Sequence, residues 1–135
     1  MSSFSRVIFV CLHGSAKSVI AAAWLNFLAS ERGLPIGAKN CGTEPDMELP
    51  PYVITGMSGE GLPTMGIIPQ AITSLALGGA ARVVTFGPDV SGYIEEDCPV
   101  ETWKVPNVDA GYAAASMAIR AKVEELVQRL VNETR

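Results

Sequence analysis

A cysteine, a short glycine-containing loop and a Lys-Ser pair follow one another in residues 11–18. A thiol is an effective nucleophile as its thiolate, so a catalytic cysteine needs neighbours that stabilise negative charge. Lys17 supplies a full positive charge, and a helix beginning at this point would add a partial one. The N–H groups of the loop, if they curl inward, form a nest for an anion. The segment therefore predicts an oxyanion site with a nucleophile, Cys11, at its base.

The loop also contains hydroxyl groups that can reach the cysteine sulfur. Ser18, or alternatively Ser15, is expected to donate a hydrogen bond to it. The competing interpretation is that Cys11 is a buried core thiol, since free cysteine is among the most buried residue types. We favour the anion site because a glycine, a cation and a helix start all follow the cysteine. The residues expected to surround the anion are Leu12, His13, Gly14, Ser15, Ala16 and Lys17.

The composition is that of a globular protein. The chain has 135 residues, 48% of them hydrophobic and 18% charged, which predicts one domain over residues 1–135. A net charge of -4 argues against a general nucleic-acid binder but not against a local anion site. The start of the chain lacks the pattern of a signal peptide, and no apolar stretch is long enough for a membrane span.

Three cysteines at irregular spacing, Cys11, Cys41 and Cys98, do not form the framework of a disulfide-rich secreted protein. There is no CxxC motif or Cys/His cluster, and His13 is the only histidine, so we expect no zinc site. We also expect no cofactor. Cys41 falls inside a predicted strand, which favours a place in the core. A reducing, cytoplasmic location is the expectation that follows.

Hydrophobic periodicity predicts strands that alternate with helices. Residues 6–10 form an apolar, β-branched run typical of a buried strand. Residues 17–32 are rich in alanine and have apolar residues at helical spacing, with Gly33 as a stop. The alternation predicts an α/β fold, a parallel sheet with helices on both faces, whose ligands bind at the carboxyl ends of the strands. The remaining predicted elements are strands at 36–41, 81–86 and 101–105, loops at 42–50 and 87–100, and helices at 51–60, 69–78 and 110–133.

Two of the predicted helices have an apolar face that should pack on the sheet. On the 17–32 helix this face comprises Ile20, Trp24, Phe27 and Leu28. On the 110–133 helix it comprises Met117, Val123, Leu126, Val127 and Leu130.

With this order of elements, residues 11–18 resemble the phosphate-binding loop of the low-molecular-weight protein tyrosine phosphatases and the related thioredoxin-coupled arsenate reductases. The loop of that family reads Cys-x-x-x-x-x-Arg-Ser, so Cys11 matches the nucleophile, Lys17 the arginine and Ser18 the serine. Residues 40–45 resemble its Ala-Gly-Thr-x-Pro segment, and residues 83–86 resemble its third strand. Trp103 and the turn 106–109 resemble the approach to its last helix. The resemblance implies a four-stranded parallel sheet in three layers and a cysteinyl-phosphate mechanism.

Two departures from the family pattern concern the phosphatase reaction. Lysine at position 17 can bind phosphate as a point charge but lacks the bidentate grip of a guanidinium. Losing a transition-state contact of this kind commonly costs ~10²–10³ in rate. The family's proton-donating Asp-Pro aligns best with Asn107, which has no acidic proton. Asp109 is the candidate substitute; the alternative is that Asp109 serves as the N-cap or a first-turn acid of the last helix.

A third departure concerns the reductase reaction, in which the family relays a disulfide through three cysteines. Cys11 matches the first and Cys98 falls near the third, but Gly87 stands where the middle one would be. One interpretation is a two-cysteine reductase in which Cys98 attacks oxidised or arsenylated Cys11, with thioredoxin as partner. The other is that Cys98 is an ordinary loop thiol.

Three further features of the loops have open roles. His13 is expected to help stabilise a thiolate or anion, or to be an exposed residue without a role. Tyr93 is expected to line the mouth of the pocket or to serve in packing. The acidic run 95–97 is expected to be a solvated face that disfavours acidic peptides.

Three functions remain open at this point. The first is a phosphatase that acts on a phosphorylated protein or a small ester through Cys11. The second is an arsenate-reductase-like enzyme, and the third is a non-catalytic module that binds phosphate or another tetrahedral oxyanion.

Overall fold

A four-stranded parallel sheet forms the centre of the computed structural model, which describes residues 4–133. The central strand β1 (Ser5–Cys11) pairs with β2 (Ile36–Gly42) on one side and with β3 (Arg82–Thr85) on the other. The edge strand β4 (Val100–Thr102) pairs with β3. The strand order is thus β2-β1-β3-β4, which confirms the predicted four-stranded parallel sheet.

Helices cover both faces of this sheet. The elements are α1 (Lys17–Arg32), α2 (Pro51–Gly59), the single turn α3 (Ser74–Leu77) and α4 (Tyr112–Glu133). Alternate residues of β1 face opposite ways. Val7 and Phe9 pack into the larger core with α1, α2 and α4, whereas Ile8 and Val10 pack into a smaller core with α3. The three layers follow from a central strand that is apolar on both faces.

The register brings the ends of the strands to one edge. Cys11, the last residue of β1, lies opposite Gly42, the last residue of β2. Val10 lies opposite Thr85, the last residue of β3. The segments that follow β1, β2 and β3 therefore all leave the sheet at the same edge, where ligands bind in parallel α/β folds.

The structure differs from the sequence prediction mainly between β2 and β3. The helix predicted over 69–78 is reduced to α3, because Ala71 forms a bridge with Gly42 and extends the sheet locally. The predicted fourth strand is shorter and begins one residue earlier, at Val100. The last helix starts at Tyr112 because a separate 3₁₀ turn, Val108–Ala110, precedes it.

Two residues assigned to apolar helix faces lie at the surface instead. Met117 is 73% exposed and Phe27 is 38% exposed. The other predicted apolar residues of α1 and α4 are buried. Within residues 4–133, no helix combines the length and hydropathy needed to cross a bilayer.

Glu101 of β4 ties the edge of the sheet to α4. Its carboxylate accepts two hydrogen bonds from the guanidinium of Arg129, at 2.7 and 2.9 Å, and one from Arg82 at 3.2 Å. The indole N–H of Trp103 donates to it at 3.0 Å. The hydrogen bonds from Arg129 lower the pKa of Glu101. Partial burial opposes this effect, and the contacts with Trp103 and Arg82 add to it. The carboxylate is therefore bound in its charged form.

We expect Glu101→Gln to lower the free energy of unfolding by about 1–2 kcal/mol at pH 7. Because the folded-state pKa is lowered, this contribution is complete above the unfolded pKa of about 4.3 and is lost as the pH falls through the folded value. Urea unfolding at several pH values should show the difference between wild type and variant shrinking below about pH 4. The matched control is Glu124→Gln, at an exposed i,i+4 pair on α4. If the difference in free energy of unfolding between wild type and Glu101→Gln does not change with pH, Glu101 does not stabilise the fold through its charged form.

Candidate functional site

Cys11 lies at the base of the loop 12–16, which connects β1 to α1. The cysteine is 7% exposed, and its Sγ lies 3.0 Å from the Oγ of Ser18 in the first turn of α1. Ser18 is fully buried. A hydroxyl that donates to sulfur stabilises negative charge there. Of the two hydroxyls predicted to reach the sulfur, the structure places Ser18 against it.

The N-terminus of α1 faces this region without a side-chain cap. Ala16 occupies the N-cap position and forms no capping hydrogen bond through its side chain. The first N–H groups of a helix have no partner within the helix, and an anion can accept from them. The base of the loop therefore offers backbone donors together with the partial positive charge of a helix N-terminus.

Two glycines allow the loop to lie directly on the end of β2. Gly14 has a φ of +61°, and a Cβ atom on it would lie 2.8 Å from the backbone nitrogen of Gly42. A Cβ atom on Gly42 would lie 2.7 Å from the carbonyl carbon of His13. Both distances are shorter than packed proteins tolerate, and both obstacles are backbone atoms. Glycine is therefore required on each side of this contact.

Hydrogen bonds from the segment 40–46 hold the loop from outside. The backbone N–H of Glu44 donates to Leu12 O at 2.7 Å, and that of Asp46 donates to His13 O at 3.0 Å. The side-chain amide of Asn40 donates to Gly14 O at 3.1 Å. Three successive carbonyl oxygens are thus bound by this segment. A loop held by its carbonyls in this way can present its N–H groups to an anion.

Asp46 also contacts the loop through its side chain, a role that the sequence analysis missed. The hydroxyl of Ser15 donates to its Oδ2 at 2.6 Å, so Ser15 is not the donor to Cys11. His13 Nδ1 lies 3.6 Å from Asp46 Oδ1 and 3.0 Å from Glu44 O. The signal that could have identified Asp46 is its place after β2, at the same sheet edge as the loop.

A cavity of about 350 Å³ opens above Cys11. Five of the six predicted anion-loop residues line it, as does Asp109; Gly14 packs on Gly42 instead, and Ser18 lies beneath. The walls combine apolar and aromatic side chains, which suit an aryl group, with polar and charged ones. The residues that complete the lining are Asp46, Pro50, Tyr52, Phe86, Pro88, Asn107 and Val108.

Lys17 and Asn107, the two departures from the family's phosphatase pattern, contact each other. The Nζ of Lys17 donates to the Oδ1 of Asn107 at 3.1 Å. An aspartate at position 107 would form an ion pair with the lysine, whereas the neutral amide leaves its positive charge uncompensated. The contact therefore orients the cation at the cavity while preserving its charge for an anion.

Asp109 lies in the 3₁₀ turn before α4 and lines the cavity beside Tyr52. It does not cap α4, which begins at Tyr112. Burial, followed by the carboxylates of Asp109 and Asp46, raises the pKa of Tyr52. The phenol of Tyr52 is therefore a neutral hydrogen-bonding group at physiological pH, close to both acids.

The structure does not bring Cys98 to Cys11. The Sγ of Cys98 lies 4.0 Å from Ala80 O, and the next residue, Pro99, accepts a hydrogen bond from Val83 N. Cys98 is thus at the amino end of β3, whereas Cys11 is at the carboxyl end of β1. Since the strands are parallel, the two thiols are separated by roughly a strand length, about 10–15 Å. A direct disulfide between Cys11 and Cys98 would require the segment that carries Cys98 to move to the opposite end of the sheet.

The other two sets of residues with open roles also lie away from the cavity. Tyr93, in the 3₁₀ turn Ser91–Tyr93, is not among the residues that line it. Glu95 and Asp97 line a separate hollow beside Cys98, where burial and then these two carboxylates raise the pKa of that thiol. Glu95 and Asp97 therefore lie outside the cavity that holds Cys11.

Cys41 is a core thiol, as the sequence predicts. It is 2% exposed in the smaller core, and burial, with a further contribution from Cys11, raises its pKa to about 12. All three cysteines lie within the described residues, and each is a free thiol. Cys41 is consequently protonated and shielded, which leaves Cys11 as the thiol of the cavity.

We expect Gly42→Ala to destabilise the protein by about 1–3 kcal/mol and to abolish anion binding, because the new methyl group must displace the backbone of the loop. Thermal unfolding with and without inorganic phosphate would measure both effects. The control is Gly59→Ala in α2, where the added Cβ meets open space. That variant should keep its stability and its protection by phosphate. Equal behaviour of the two variants would show that the loop does not depend on the glycine contact.

Comparison with known proteins places these features in a family context. Residues 6–125 match the family described as low molecular weight phosphotyrosine protein phosphatase. No curated protein matches the chain significantly.

Solved structures share the fold over nearly the whole chain. A low molecular weight phosphotyrosine phosphatase from Vibrio cholerae matches with a TM-score of 0.85 and 14% identity, over 96% of this chain and 98% of that one. An arsenate reductase from Archaeoglobus fulgidus matches with a TM-score of 0.67 and 28% identity, over 93% and 98%. A thioredoxin-dependent arsenate reductase from Corynebacterium glutamicum matches with a TM-score of 0.81 and 21% identity, over 98% of this chain and 64% of that one.

Proposed function

Because the chain belongs to the low molecular weight phosphotyrosine protein phosphatase family, we propose that it hydrolyses a phosphate monoester through a cysteinyl-phosphate on Cys11. The observation that carries this proposal is the contact of Cys11 Sγ with Ser18 Oγ, 3.0 Å, at the base of a cavity bounded by the loop 12–16. The arrangement combines a nucleophile, backbone donors and a cation around one position. The substrate is a phosphorylated protein or a small ester.

In the first step, the thiolate of Cys11 attacks phosphorus while the bond from phosphorus to the ester oxygen breaks. The loop N–H groups and the ammonium of Lys17 stabilise the charge on the phosphoryl oxygens. Asp109 is the carboxylic acid that we assign to protonate the departing oxygen, because it lines the same cavity as Cys11. Ser18 stabilises the sulfur before attack and again when it departs.

In the second step, water attacks phosphorus and the bond from sulfur to phosphorus breaks. The carboxylate of Asp109 takes the proton from water, and the thiolate of Cys11 is regenerated. The products are inorganic phosphate and the free alcohol or phenol. No oxidant or cofactor is needed for these two steps, and the location that we propose for the enzyme is the cytoplasm, where thiols stay reduced.

The reductase interpretation draws support from the names of three structural neighbours, which are arsenate reductases. The separation of Cys98 from Cys11 argues against the two-cysteine version, because the resolving thiol lies at the other end of the sheet. We therefore assign thioredoxin no role in the proposed reaction. A non-catalytic module would bind the same oxyanions without turnover.

We expect Cys11→Ser to lower turnover of para-nitrophenyl phosphate by at least about 10³-fold, because the variant lacks the nucleophile. The matched control is Cys98→Ser, which should retain wild-type turnover. Arsenate reduction, measured in parallel with added thioredoxin and dithiothreitol, should be absent. Turnover of the aryl phosphate that survives in Cys11→Ser would contradict the mechanism. A Cys98-dependent reduction of arsenate would favour the reductase, and phosphate-dependent heat protection without turnover would favour the binding module.

We expect Lys17→Arg to raise kcat/KM for the aryl phosphate by about tenfold or more, because a guanidinium can donate to two phosphoryl oxygens at once. Steady-state kinetics of the variant would measure the change. The control, Lys104→Arg, alters an exposed lysine that does not line the cavity. An unchanged or lower kcat/KM in Lys17→Arg would show that the residue at this position does not contact the phosphoryl group.

A further inference from the structure

Asp46 introduces a fixed negative charge into a cavity that otherwise suits an anion. Its carboxylate accepts a hydrogen bond of 2.6 Å from the hydroxyl of Ser15, a residue that is only 2% exposed. Its backbone N–H donates to His13 O at 3.0 Å. The hydrogen bond from Ser15 holds the carboxylate at the cavity that it lines, and the backbone bond fixes the residue that carries it.

This carboxylate opposes the binding of a phosphate dianion, since like charges repel over the dimensions of the cavity. Lys17 forms no direct ion pair with Asp46 among the described residues, and its ammonium donates to Asn107 instead. His13 Nδ1 lies 3.6 Å from Asp46 Oδ1 but forms its hydrogen bond with Glu44 O, at 3.0 Å. The cost of the carboxylate is offset when the substrate itself carries a positive charge.

The charge acts on the part of the cavity that would hold a leaving group. Asp46, Asp109 and Tyr52 line the same cavity, and the two carboxylates add to burial in raising the pKa of Tyr52. Tyr52 and Phe86 are the aromatic side chains of the lining. An aryl group above the phosphoryl group would lie among them, within the field of Asp46.

We propose that Asp46 is a specificity-determining residue that selects aryl phosphates by charge, favouring leaving groups that carry an ammonium over those that carry a carboxylate. The proposal rests on the phosphatase function above and names its substrate class. It concerns Asp46 rather than Asp109, because Asp109 is assigned to the proton transfer itself. Asp46 thus selects by electrostatic attraction and takes no part in bond breaking.

Three aryl phosphates that differ mainly in charge test the proposal: tyramine phosphate, para-ethylphenyl phosphate and the phosphate of para-hydroxyphenylpropionic acid. Their phenols are similar in acidity, so differences in kcat/KM report binding of the substituent. Wild-type kcat/KM should decrease in this order, by about three- to tenfold per charge at low salt. Added salt should reduce the differences.

The informative variant is Asp46→Asn, whose amide oxygen can still accept the hydrogen bond from Ser15. It should lower kcat/KM for tyramine phosphate, raise it for the carboxylate-bearing substrate, and strengthen inhibition by inorganic phosphate. A structural role would instead lower all three rates together. The control is Asp97→Asn, which removes the same net charge beside Cys98, outside the cavity, and should change none of them.

Binding measurements keep this test independent of turnover. Protection of Cys11 from iodoacetamide by each of the three aryl phosphates gives dissociation constants even if no ester is hydrolysed. If none of the three esters is hydrolysed but their dissociation constants still follow the order of charge, the proposed function is overturned and the role of Asp46 is retained. The absence of a charge order in both measurements, or an equal loss for all three substrates in Asp46→Asn, would overturn the inference.

Discussion

The contact between Gly14 and Gly42 is the constraint on which the site depends. Each glycine occupies the position where a Cβ on the other would lie, so the loop after β1 can approach the last residue of β2 backbone to backbone. This approach is what allows the segment 40–46 to bind the loop carbonyls. A loop held by those carbonyls leaves its N–H groups for a ligand, with Cys11 beneath them.

The same contact determines which side chains reach the cavity. Because Gly42 is opposite Cys11 in the β1–β2 register, the residues that follow Gly42 lie beside the loop that follows Cys11. Asp46 is thereby placed against Ser15. On the other side of the cavity, the rings of Phe9, Phe86 and Trp103 pack with centroids 5.6–6.3 Å apart and support the segments that follow β3 and β4. The cavity is thus enclosed by segments from all parts of the sheet.

The electrostatics of the site reflect a division between its base and its rim. The base presents Ser18, a helix N-terminus and Lys17, all of which stabilise negative charge. The rim presents the carboxylates of Asp46 and Asp109 near Tyr52. Asn107 supports the base because it holds the cation without neutralising it. A phosphate ester placed with its phosphoryl group at the base has its leaving group among the acids of the rim.

Local patterns in the sequence were sufficient for most of the elements, and for the part of the site that is contiguous in the chain. The periodicity of residues 17–32 predicted α1 with its observed bounds, because alanine-rich helical spacing and a stop glycine act within one element. The helix predicted over 69–78 is confirmed only at Ser74–Leu77, because the pairing of Ala71 with Gly42 overrides the local preference in the first half. Met117 was assigned to a buried face but lies at the surface, since periodicity alone does not show where packing against the sheet ends.

What the sequence by itself determined is the chemistry of residues 11–18: a thiol, a loop, a cation and a buried hydroxyl, joined by a strand and a helix that form locally. Only the tertiary structure decided that Ser15 donates to Asp46, 31 residues away, and that Lys17 donates to Asn107, 90 residues away. It also placed Cys98 at the opposite end of the sheet, although Cys11 and Cys98 both adjoin strands. The physical reason is that such partners are set by the register and direction of parallel strands. Those depend on packing across the whole sheet, and no local pattern of residues records them.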